Sequence, residues 1–121
     1  MNQTGVWIDH SKAVIVAASA ERITSMTLEH DAEPHARGPH LDRYYDAVIS
    51  QLGHPDALLI FGPGEAKLQL RERVSHSTAL SACLVALETT DKLTDPQIVA
   101  KVRKHYGIAP PDAGVNRGRT Q

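Results

Sequence analysis

With 121 residues, 41% hydrophobic and 22% charged, the chain has the makings of one globular domain and is too short for two. Thirteen Lys and Arg against fourteen Asp and Glu leave a formal charge of -1, so bulk electrostatics gives no grip on nucleic acid or anionic membrane. The single Cys83 excludes an intrachain disulfide framework and agrees with a reduced cytosol.

The apolar run VIVAASA near the start is far too short to span a bilayer, and no secretion signal is visible. The expectation is a cytoplasmic protein with no membrane partner. Three strands come first: GVWIDH, KAVIVAAS and RITSMTLE, rich in β-branched residues. The turn Asp9-His10-Ser11-Lys12 joins the first two, and Ser19-Ala20-Glu21 the next two. Turns this short make antiparallel neighbours, so the three strands form a meander.

Residues 29–40, EHDAEPHARGPH, are polar and broken by Pro34, Gly38 and Pro39, which predicts a loop. After it Leu41, Tyr45, Val48, Ile49 and Leu52 fall on one helical face. The all-apolar ALLIF, from Ala57 to Phe61, reads as a central strand covered on both faces. Ala66, Leu70 and Val74 at spacing four predict a helix from about Gly64 to Val74. A fifth strand, CLVALE, precedes a helix from Asp95 to Tyr106. Thr94 and Gln97 have the spacing of a capping box at its start.

The order is βββαβαβα. Strand–helix–strand crossovers are parallel and right-handed, so the prediction is a single α/β domain with a five-stranded mixed sheet in the order 3-2-1-4-5. Three antiparallel strands are followed by two parallel ones, with helices on the faces, a ribonuclease H-like layout. The domain is expected over residues 1–107 and a flexible tail over 108–121.

Three segments carry a family resemblance: GVWIDHSKAVIV, DALLIFGPGEAKLQL, and LVALETTDKLTDPQIVAKVRKHYG. With the element order, they resemble the middle domain of class-1 translation termination factors of the eukaryotic and archaeal type. They are also similar to the matching domain of Pelota and to small bacterial proteins described as translational machinery components. The resemblance implies a ribosomal or RNA–protein partner. Termination factors carry Gly-Gly-Gln in the loop after the third strand, and this chain has EPHARGPH there. Peptide release is therefore not implied.

Four groups of residues are candidates for function. The turn Gly62-Pro63-Gly64 with Lys67 invites comparison with a phosphate cradle. Pro63 has no N–H to give, Glu65 occupies the positive helix end, and Lys67 is followed by Leu68 instead of a hydroxyl residue. The turn is expected only to reverse the chain, with no nucleotide or other cofactor, and Lys67 to contribute less than about 1 kcal/mol. His30, His35 and His40 give the 29–42 loop metal-ligating groups, at spacings that match no zinc motif.

Asp9, Glu88 and Asp91 lie near strand ends, where a two-metal nuclease would hold its carboxylates. The end of the fourth strand offers Phe61-Gly62 instead of an acid. Lys101, Arg103 and Lys104, with Arg71 and Arg73 on the preceding helix, could meet RNA phosphates or only balance helix dipoles. Helical geometry is expected to put Lys101 and Lys104 on one face, with Arg103 turned toward Arg71. The reading is a non-catalytic module contacting the ribosome or RNA. The alternatives are a metal-dependent nuclease using Asp9 with Glu88 or Asp91, and a protein-interaction module or homodimer with no RNA role.

Overall fold

A computed structural model describes residues 2–19, 22–29, 39–77, 80 and 83–108, without the side chains of residues 39–42 and 84. His30 and His35, the predicted 108–121 tail beyond Ile108, and the side chain of His40 lie outside the described residues. The elements are β1 (Gln3–Ile8), β2 (Lys12–Ala18), β3 (Ile23–Glu29), α1 (Pro39–Leu52), β4 (Ala57–Gly62), α2 (Ala66–Ser75), β5 (Leu84–Thr89) and α3 (Asp95–Tyr106).

The sheet order is β3-β2-β1-β4-β5, as predicted. Val6 pairs with Ile15 in the antiparallel β1–β2 ladder, and Ile15 with Met26 in β2–β3. On its other edge β1 runs parallel to β4, with Val6 beside Ile60, and Ile60 stands beside Leu87 of β5. Successive strand side chains alternate between faces, so two apolar layers form. Val6, Ile8, Ile15, Leu58 and Ile60 pack with Tyr45 and Val48 of α1 and Leu70 and Val74 of α2. Trp7, Val14, Val16, Leu59 and Phe61 pack with Ile98 and Val102 of α3. Leu58 through Phe61 are all buried, which is why that stretch is continuously apolar.

Two helix starts differ from the sequence expectation. α1 begins at Pro39, inside the predicted loop, because proline fits the first helical turn, where a missing N–H leaves no bond unmade. α2 begins at Ala66, after a turn that occupies Pro63 to Glu65. α3 matches at both ends. Gln97 N–H donates to Thr94 Oγ1 at 3.3 Å, and Thr94 N–H donates to Gln97 Oε1 at 2.8 Å. Gly107, at φ 68°, closes the helix, and Ile108 N–H returns to the Arg103 carbonyl at 2.8 Å.

Candidate binding surfaces

Two regions gather the chemistry-bearing residues: the rim at the carboxyl ends of β1, β4 and β5, and the outer face of α3. The rim is built from turns. Asp9 Oδ1 accepts from Ser11 N–H at 2.7 Å and Lys12 N–H at 2.8 Å, which is how an aspartate closes a tight hairpin. Tyr44 reaches across from α1, and its hydroxyl donates to the Asp9 carbonyl at 3.0 Å. Burial, with the Asp9 charge and Tyr45 behind it, pushes the Tyr44 hydroxyl upward, so it stays protonated as a donor.

Gly62 ends β4 at φ 148°, with Thr90 N–H donating to its carbonyl at 3.1 Å. Lys67 is 6% exposed, and its ammonium donates to the Gly64 carbonyl within the same turn. Asp9, His10, Ser11, Pro63, Gly64 and Lys92 line a shallow hollow of about 270 Å³ at this rim. The amine that a phosphate site would need is folded back onto its own backbone.

Because Lys67 is buried and hydrogen-bonded, its removal is expected to matter more than its sequence context implied. Lys67→Ala should lower unfolding free energy by about 1–2 kcal/mol, since it leaves the Gly64 carbonyl without that donor. Urea unfolding measures this, and calorimetric titration with nucleotide should show no heat of binding in either protein.

Of the candidate nuclease carboxylates, Asp9 lines that hollow, and Glu88 and Asp91 are not among its lining residues. Glu88 is turned onto α3, where Lys101 donates to one carboxylate oxygen and His105 Nδ1 stands 3.6 Å from the other. The Lys101 hydrogen bond holds the Glu88 carboxyl below its ordinary range, and the charges of Lys101 and His105 add to it against a desolvation penalty. The Asp91 carbonyl accepts from Trp7 Nε1 at 3.4 Å. Among the described residues, no three His, Cys, Asp or Glu side chains group as a metal site requires.

A depressed folded-state pKa means that the unfolded chain takes up the proton first as pH falls. The Glu88 contribution is therefore full above the unfolded value and is lost as pH drops through the folded one. As pH falls below about 5 the parent's melting temperature should drop more steeply than that of Glu88→Gln. Thermal denaturation at stepped pH gives the comparison.

The five predicted cations are divided by the sheet. Arg71 and Arg73 belong to α2, which covers the Val6 and Ile60 layer, whereas α3 covers the Trp7 and Phe61 layer. Arg103 therefore cannot turn toward Arg71, because the sheet lies between their helices. Arg73 meets Asp46 at 3.3 Å and lies over the Tyr45 ring at 5.3 Å, while Arg71 is exposed.

Lys101 and Lys104 also part company: Lys101 is drawn to Glu88, and it is Arg103 that accompanies the exposed Lys104. These two line a hollow of about 500 Å³ with Pro96, Val99, Ala100 and Ile108. The buried Nε of Arg103 has no hydrogen-bond acceptor among the described residues. Sequence reading passed over the apolar members of this surface. Their signal is the run Pro96, Val99, Ala100, Arg103 and Lys104, at helical spacings of three and four, which puts them on one outward stripe.

No family model matches the sequence, and no curated protein matches it. The class the fold defines is a mixed-sheet α/β domain with crossover helices, and solved structures share it. The Pelota protein of Thermoplasma acidophilum superposes with a TM-score of 0.66 at 17% identity, over 86% of this chain and 32% of that one. Archaeoglobus fulgidus Pelota gives 0.62 at 11% identity, over 86% and 31%. The archaeal translation termination factor aRF1 gives 0.56 at 18% identity, over 85% and 34%. At these identities the likeness is one of fold. The chain spans about a third of the length of each neighbour.

Proposed function

We propose that this chain is a translation-associated binding module that contacts the ribosome or another RNA–protein assembly and performs no chemistry there. The observation that carries the reading is the fold, shared over 86% of the chain with Pelota and over 85% with a translation termination factor. The sequence contains no Gly-Gly-Gln, so release of the peptide is outside the proposal. The rival nuclease reading loses support from Glu88, whose carboxylate is already engaged by Lys101.

The contact is assigned to the outer face of α3. Lys104 is exposed and Arg103 lies beside it, whereas Arg71 and Arg73 on the far face cannot share one flat partner with them. Each phosphate contact releases a counterion, so its loss flattens the dependence of log affinity on log salt by roughly one unit. Lys104→Ala should weaken ribosome binding and reduce that slope, and adding Arg103→Ala should reduce it again. Pelleting with ribosomes over a salt series reads both numbers. A slope unchanged in the double variant would take the contact away from α3.

A further inference from the structure

Several cations of this chain are already engaged. Lys12 pairs with Asp95, Arg73 with Asp46 and Lys101 with Glu88, and Lys67 donates to the Gly64 carbonyl. Arg103 and Lys104 are not: among the described residues neither side chain has an ion-pair or hydrogen-bond partner. The hollow they share is shaped by the end of α3. Gly107, left-handed at φ 68°, turns Ile108 back until its N–H meets the Arg103 carbonyl at 2.8 Å. Ile108 then walls a hollow of about 500 Å³ with Pro96, Val99 and Ala100, a volume ordinary for a small-molecule site. No acidic side chain of the described residues lines it. The Arg103 Nε is buried with a hydrogen to give and no acceptor, a cost that a ligand oxygen would relieve.

We propose that this hollow receives an unstacked nucleotide of single-stranded RNA, with the base on the apolar floor and the phosphate held by Arg103 and Lys104. The proposal rests on the assignment of the α3 face to RNA and adds which form of RNA that face selects. An RNA duplex would answer the two cations, but its bases stay stacked and would leave the apolar floor wet. An extended peptide binds through main-chain hydrogen bonds, and the backbone groups inside α3 are already spent on the helix. A splayed base asks for no such partners on its two flat faces, and it brings its own phosphate. The negative end of the α3 dipole opposes that phosphate, but it amounts to about half a charge against two full cations. An aliphatic floor in place of an aromatic one makes recognition weak and tolerant of base identity.

Fluorescence anisotropy of the full chain at physiological salt tests this with three labelled probes. They are a uridine oligomer of about eight nucleotides, a blunt RNA duplex of about twelve base pairs and a peptide of about eight glutamates. The single strand should bind about tenfold or more tighter than either of the others. Ala100→Gln keeps good helix propensity at an exposed position and puts an amide on the floor. It should erase most of the preference for single strand and leave duplex binding unchanged. Lys104→Ala should weaken binding of both RNAs. Equal binding of strand and duplex, tighter binding of the peptide, or a preference untouched by Ala100→Gln overturns the proposal. So does a parent that binds no single strand. The broader reading fails separately, since it survives equal binding of strand and duplex if Lys104→Ala still releases the chain from ribosomes.

Discussion

Gly62→Ala is expected to lower the unfolding free energy by about 3 kcal/mol or more, a large share of what a domain of this size possesses. Two effects act together. The residue holds φ at 148°, a region that side-chain-bearing residues rarely adopt. A β-carbon built there would also lie 2.2 Å from the Ile8 carbonyl oxygen and 3.2 Å from the Ile8 nitrogen. Those atoms are backbone in the strand next door, so no rotamer change relieves the clash. The parallel β1–β4 ladder would have to open at its carboxyl end, where the Asp9 turn and the Thr90 bond to Gly62 also meet. Urea denaturation should show the midpoint falling sharply. Gly64→Ala is the instructive comparison: its φ of 68° is strained too, but no atom of the described residues lies within 4 Å of the added carbon. It should cost clearly less.

Trp7→Ala should be comparably severe, at about 3–5 kcal/mol, the range for emptying a buried aromatic site. Trp7 is 1% exposed and lies in the layer between the sheet and α3, with Val14, Phe61, Ile98 and Val102. Its indole N–H also ties down the loop after β5 through the Asp91 carbonyl, and the Lys12 ammonium stands 5.8 Å from the ring centre. The cavity cannot close by moving α3 inward. Gly5 already lets the helix approach so near that a β-carbon there would meet Val102 Cγ2 at 2.4 Å. Trp7→Phe should recover much of the loss, because it keeps the ring and gives up only the longer reach and the Asp91 bond. Far-UV circular dichroism during urea unfolding is the suitable probe, since Trp7 is the chain's single tryptophan and its fluorescence disappears with it.

The sheet was legible in the sequence because its evidence is periodic and local. Short turns at Asp9 and Ser19 force antiparallel neighbours, and the continuous run from Ala57 to Phe61 demands cover on both faces. The crossover rule then fixes the rest of the strand order. Helix starts were legible where side chains announce them, as Thr94 and Gln97 do, and misread where proline stood inside a polar stretch, as at Pro39.

The candidate site was harder to read, because charge partners come from elsewhere in the chain. Nothing near Lys101 in sequence says that Glu88 will meet it from a neighbouring strand, which takes it away from Lys104. The separation of Arg71 from Arg103 follows from the faces their helices cover, and that is a property of the assembled layers. Lys67 was expected to contribute less than about 1 kcal/mol, whereas it is buried and hydrogen-bonded. Its long stem reaches back three residues to the Gly64 carbonyl, a geometry that needs the turn itself to be known.

Under the proposed function, a fold shared with Pelota and a termination factor serves as a ribosome-contacting module without chemistry of its own. The direct measurement is co-sedimentation of the full chain with purified ribosomes at physiological salt, with RNA integrity followed in the same tubes with and without magnesium. The protein is expected to pellet with ribosomes, to be released steeply by added salt, and to leave the RNA intact under both conditions. Protein left in the supernatant at physiological salt, or RNA cut only when magnesium is present, would contradict the proposed function.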